Sequence, residues 1–185
     1  MKFFSTILLL FVSSFVIADK WASPSEMASA SPNSKYVVRV VPSELNTGEK
    51  SIATLFVFDG VSYTELSRFP LRNEISPVNI VITNQGRVFT FDNWASMGFG
   101  EHVVAIYSSS GELKKTYRLE DLYGKEDFEK IKMNRSVSSI HWQCSSSRPW
   151  THYDLVFVRD TIGGSFIFDD DGGFSYKRKD GCYHR

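Results

Sequence analysis

The sequence predicts an all-β fold of about ten to twelve short antiparallel strands in three meander- or blade-like blocks. Two observations carry this. From Lys35 onward, β-branched and aromatic runs alternate with turn residues roughly every 8–12 positions. Strand-turn-strand blocks then follow one another at about fifty residues, a period that calls for a repeat explanation. Only Leu119 to Ile131 has helix-like content.

KYVVRVVP (Lys35 to Pro42) is the first predicted strand, and the proline ends it. SIATLFVF (Ser51 to Phe58) follows, and Asp59-Gly60 is a two-residue hairpin signature that returns the chain through VSYTELSRF. The second block opens with PVNIVIT (Pro77 to Thr83), turns at Asn84-Gln85-Gly86 and continues as RVFTFD (Arg87 to Asp92). A loop with Asn93, Gly98 and Gly100 leads to HVVAIYS (His102 to Ser108), and the turn ending at Gly111 gives ELKKTYRL. Gly124 divides the helix-like stretch into short turns. In the third block the strands are VSSIHW (Val137 to Trp142), YDLVFVRD (Tyr153 to Asp160), GSFIF (Gly164 to Phe168) and FSYKRK after the turn DDDGG. A Ser-rich loop containing Pro149 and Trp150 separates the first two of these.

SPNSKYVVRV, TNQGRVFTFDNW and VVAIYSSSGELKKTYRL resemble the strand-turn-strand units of β-propeller blades. They are similar to stretches of uncharacterised exported bacterial β-repeat proteins. Because closed propellers usually need at least four blades, the resemblance implies a propeller-like arrangement closed by association, or an open or sandwich-like stack. It brings no catalytic residues with it.

MKFFSTILLLFVSSFVIA, residues 1–18, reads as a secretory signal peptide. Lys2 is its positive start, Phe3 to Ile17 its apolar body, and Val16 and Ala18 the small residues before cleavage. Asp19 and Lys20 end the run short of the roughly 20 apolar residues that a spanning helix needs; an uncleaved anchor is the alternative. Residues 19–34 read as an irregular lead-in and residues 35–185 as a single all-β domain. The expectation is an exported protein, periplasmic or secreted, with no stable membrane insertion once the leader is removed. Lys and Arg number 21 and Asp and Glu 21, a balance that provides no field for capturing nucleic acid. In an oxidising compartment Cys144 and Cys182 form one disulfide, and loop closure stabilises the fold by roughly 3–4 kcal/mol.

No complete catalytic motif occurs. His102, His141, His152 and His184 lack metal-ligand spacing, so no metal or other cofactor is expected. Asp169-Asp170-Asp171-Gly172 fails as a calcium loop because Ile167 and Arg178 stand where carboxylates are needed; it reads as a hairpin turn. Glu65, Glu74, Asp92, Glu101 and Asp154 include pairs that a fold could set across a cleft. Trp94, Phe99 and Trp150 are the candidate binding residues, because a Gly-rich aromatic loop between strong strands combines reach with contact area. Packing between strands is the competing role for each tryptophan. The leading expectation is a non-enzymatic binding or structural module of the cell envelope, with a protein or carbohydrate partner. The alternatives are an exported hydrolase with a site assembled from separate strands, and an inhibitor or immunity-type partner of a secreted enzyme.

Overall fold

In a computed structural model describing residues 21–45, 47–178 and 182, the chain forms three four-stranded antiparallel sheets. The first contains β1 (Met27–Ala30), β2 (Tyr36–Val41), β3 (Ile52–Phe58) and β4 (Tyr63–Pro70). The second contains β5 (Pro77–Ile82), β6 (Val88–Asn93), β7 (Val104–Tyr107) and β8 (Leu113–Tyr117). After α1 (Leu119–Leu122) and α2 (Lys125–Lys132) come β9 (Trp150–His152), β10 (Leu155–Arg159), β11 (Gly164–Phe168) and β12 (Phe174–Arg178). Each sheet is a meander in which sequence neighbours are hydrogen-bonded neighbours, and each keeps two edges, so none closes into a barrel. The leading strands gather, β1 beside β5 and β5 beside β9. The expected leader lies outside the described residues, and none of the described helices is long and apolar enough to cross a membrane.

Three sequence expectations need correction. The lead-in is not wholly irregular, because Met27–Ala30 pairs with Val37–Val40 as the edge of the first sheet. Its small residues have little strand propensity of their own, so the pairing comes from the partner strand. Val137 to Trp142 is not a strand: this segment makes only isolated bridges, Arg135 to Ile140 and, just beyond it, Gln143 to Asp160. It crosses between sheets, with Ile140 N donating to Met97 O at 2.8 Å. Trp150 is not in a loop; it opens β9 and pairs with Phe157.

The second sheet is the middle layer. Phe89, Phe91, Val104 and Ile106 face a core shared with Leu119, Ile131, Trp142, Val156, Phe166 and Phe168. Val88, Ala105 and Tyr107 face the opposite core, against Val38, Val40, Leu55, Phe69 and Leu71. A strand buried on both faces has no need of polar alternation, which is why VFTFD and VAIY are buried throughout.

The turns reuse one device. A side-chain oxygen at the end of one strand accepts the amide that opens the next: Ser31 from Tyr36 (3.0 Å), Thr83 from Arg87 (3.3 Å), Ser108 from Glu112 (3.1 Å) and Asp169 from Gly173 (2.7 Å). Such local bonds are what Ser, Thr and Asp contribute to turns. Gly111 shows why the glycine is needed: its φ is +85° and an added Cβ would sit 2.4 Å from the Phe69 ring.

Asp160 and the disulfide secure the third sheet. Asp160 is fully buried, and its carboxylate accepts the amides of Ile162 and Gly164 and the hydroxyls of Tyr123 and Tyr176. Burial first, and the Asp160 charge second, raise the Tyr123 pKa, so that hydroxyl stays a donor. Cys144 and Cys182 are joined across a Cα separation of 5.6 Å, while their amides donate to Arg159 O and Asp160 O. Opening a loop of 38 residues costs about 4 kcal/mol on the chain-entropy account. The double variant Cys144→Ser/Cys182→Ser is therefore expected to melt about 10 °C lower in a calorimetric scan; a melting point unchanged within error refutes a stabilising bridge.

Candidate functional site

The loop between β6 and β7 is held from beneath by one carboxylate. Asp92 has φ +58°, a conformation that Asp tolerates better than most residues, and its amide donates to Val103 O at 2.8 Å. Its buried side chain accepts Gly98 N at 2.7 Å, Trp142 Nε1 at 2.9 and 3.0 Å, and Gln143 Nε2. Gly98 must lack a side chain, because a Cβ there would meet Ile140 at 2.8 Å. Loop and crossing segment are thus stapled together. Burial raises the Asp92 pKa to about 7, opposed by the bonds from Trp142, Gly98 and Gln143.

Above this staple the loop forms one wall of a half-open cleft of about 410 Å³, lined chiefly by Lys50, Arg72, Glu74, Trp94, Phe99 and His102. Asn73 ties its floor, donating from Nδ2 to Asp92 O at 2.8 Å and Asn93 Oδ1 at 3.1 Å. Asn93 in turn donates to Phe99 O at 3.3 Å. The Trp94 amide donates to Ser76 O at 2.9 Å and its indole Nε1 to Ala22 O at 2.8 Å. Trp21 meets the Trp94 ring edge-on at 6.2 Å, so the segment before β1 steadies the rim.

Charges at the cleft are unequal in their commitments. Glu101 is bonded by Arg118 at 2.6 Å. Lys50, Arg72 and Glu74 have no ion-pair partner among the described residues. Burial lowers the His102 pKa; the Glu101 charge opposes this, while Arg72 and Lys50 reinforce it. The imidazole is consequently held toward its neutral form beside two cations.

Two of the three sequence-predicted binding residues, Trp94 and Phe99, share this cleft. Trp150 does not. It stacks on Phe157 at 5.3 Å, with the Arg159 guanidinium 5.2 Å above its ring. A larger cleft of about 840 Å³ lies against the opposite side of the loop, where Met97, Asn79, Glu26, His141, Gln143 and Arg148 line it. Of the carboxylates singled out in the sequence, Glu74 and Glu101 line the smaller cleft and Asp92 is buried behind it. Glu65 lies near Arg68 on β4 at 3.8 Å. Among the described residues no three His, Cys, Asp or Glu side chains gather as a metal site.

Sequence reasoning did not find Lys50, Arg72 or Asn73. They flank strands of the first sheet, and no spacing links them to residues 94–102. Compared with known proteins, the chain matches no family model and no curated protein.

Asp92→Asn preserves the backbone conformation but turns one acceptor into a donor facing Trp142, Gln143 or Gly98. The variant is expected to lose about 2–4 kcal/mol. Because the folded pKa lies above the ordinary 3.8, the native state holds the proton more tightly. This group's contribution is therefore fully present below about pH 4 and is lost as pH rises through about 7. Urea unfolding across that range should show a downward slope in the wild type that Asp92→Asn lacks; parallel profiles would refute the assignment.

Proposed function

We propose that the chain is an exported, non-enzymatic binding module of the cell envelope that captures its partner in the cleft between Trp94, Phe99, Lys50 and Arg72. One observation carries the reading. A loop stapled by Asp92 brings Trp94 and Phe99 to the lining of a cleft that Lys50 and Arg72 also line, and among the described residues neither cation is paired with a carboxylate. Aromatic and arginine side chains at a preorganised site are the groups that dominate binding energy. The buried, pKa-shifted Asp92 supports binding over catalysis, because its acceptor positions are occupied by donors that hold the loop. The disulfide is compatible with export.

A second reading, an exported hydrolase, has one observation in its favour: Glu74 and Glu101 line the same cleft. A general acid needs a retained proton, whereas Glu101 is exposed and bonded to Arg118. That chemistry favours the binding reading.

With the protein immobilised and an envelope fraction as the source of partner, Trp94→Ala and Phe99→Ala should each reduce specific capture by about tenfold or more. Trp150→Ala should leave it unchanged. Equal recovery by all three variants refutes the site. Product release that disappears in Glu74→Gln or Glu101→Gln would establish the hydrolase instead.

A further inference from the structure

We propose that the ligand of this cleft is a carboxylated saccharide, a sugar ring bearing one acid group, with its ring against Trp94 and Phe99 and its carboxylate between Lys50 and Arg72. This rests on the binding-module reading and names the chemistry that the site accepts.

The two cations come from separate connections, Lys50 just before β3 and Arg72 just after β4, yet line one mouth. The Arg72 amide donates to the buried Tyr107 hydroxyl at 2.8 Å, which fixes its backbone at the rim. Among the described residues its guanidinium has no ion-pair partner, and Arg can take a carboxylate in a two-pronged bond, the geometry that distinguishes it from Lys. Lys50 adds a mobile second charge. With Glu101 bonded to Arg118, the two cations left without an ion-pair partner among the described residues stand against one such carboxylate, Glu74. One further negative charge balances the mouth. A sulfated or polyphosphorylated ligand would set several charges against Glu74 and Glu101.

The remaining lining is suited to a polyol. Trp94 and Phe99 offer rings for the C–H face of a pyranose, and aromatic side chains combine large contact area with low ordering cost. His102, held toward its neutral form, lines the same mouth; its Nδ1 is buried, which leaves Nε2 as the ring nitrogen to meet a hydroxyl. Glu74 lies within the same lining to accept from hydroxyls. A volume of about 410 Å³ falls within the span of small-ligand sites.

Calorimetric titration of the full mature chain tests the proposal with oligogalacturonate, its methyl ester, a muramic-acid disaccharide, a neutral cello-oligosaccharide and dextran sulfate. The expected result is binding of at least one free-acid sugar, weakened about tenfold or more by esterification, by Arg72→Ala or Lys50→Ala, and by Trp94→Ala. The uronate and muramyl arms distinguish an external polymer from an envelope glycan. Equal affinity for acid and ester overturns acid recognition while leaving the aromatic cleft as the binding site. Acid binding that survives Trp94→Ala and Phe99→Ala shows unspecific attraction and overturns the proposal, as does tighter binding of dextran sulfate. If no saccharide binds, the proposal fails, and partner capture by the Trp94 and Phe99 variants judges the binding reading separately.

Discussion

Wrapping the Asp92 carboxylate in donors is the constraint on which the rest of the site depends. A carboxylate buried without partners is too costly to keep. At Asp92 the donors come from three places: the loop at Gly98, the indole of Trp142 and the amide of Gln143. Each is thereby fixed relative to the end of β6. The Asn79 amide donates to Gln143 Oε1 at 3.4 Å, carrying the link on to β5. The aromatic loop above is consequently anchored from beneath at Gly98 and tied to the crossing segment.

A second buried carboxylate does the corresponding work in the third sheet. Asp160 closes the β10–β11 turn through two backbone amides and gathers the hydroxyls of Tyr123 and Tyr176 on one oxygen, their rings meeting edge-on at 5.7 Å. Both aspartates lie where the second strand of a sheet gives way to the third, and the amide of each bonds the carbonyl of the residue at the start of the return, Val103 or Gly164. The sheets therefore meet through polar nodes set within apolar packing. The middle sheet supplies that packing on both faces.

Much of the strand order was legible because local chemistry and global fold agree. Gly164–Phe168 forms a strand with the expected bounds, and the turns at Asp59, Thr83, Ser108 and Asp169 use the side-chain bonds their residue types suggest. Three elements were not legible for physical reasons. Met27–Ala30 is a strand through its partner, not its propensity. Val137 to Trp142 has strand-like residues, yet its largest side chain is drawn out to a buried acid and its backbone bonds a loop. Trp150–His152 is too short to register against a Ser-rich surrounding. At the site, the aromatic half was legible as a Gly-rich loop carrying Trp94 and Phe99. The cationic half was not, since Lys50 and Arg72 reach it only through packing of the first sheet on the second.

The placement of the indoles has an optical consequence. Trp21 and Trp94 stand 6.2 Å apart at the rim of the cleft, one on the segment preceding β1 and the other on the loop. Trp142 is sealed in the interior beside a titrating acid, and Trp150 lies under the Arg159 guanidinium on the third sheet. Emission from this chain is therefore divided by location. The rim pair reports on the mouth of the cleft, Trp142 on the surroundings of Asp92, and Trp150 on the sheet farthest in sequence from the loop. The molecule carries its own set of spectroscopic gauges.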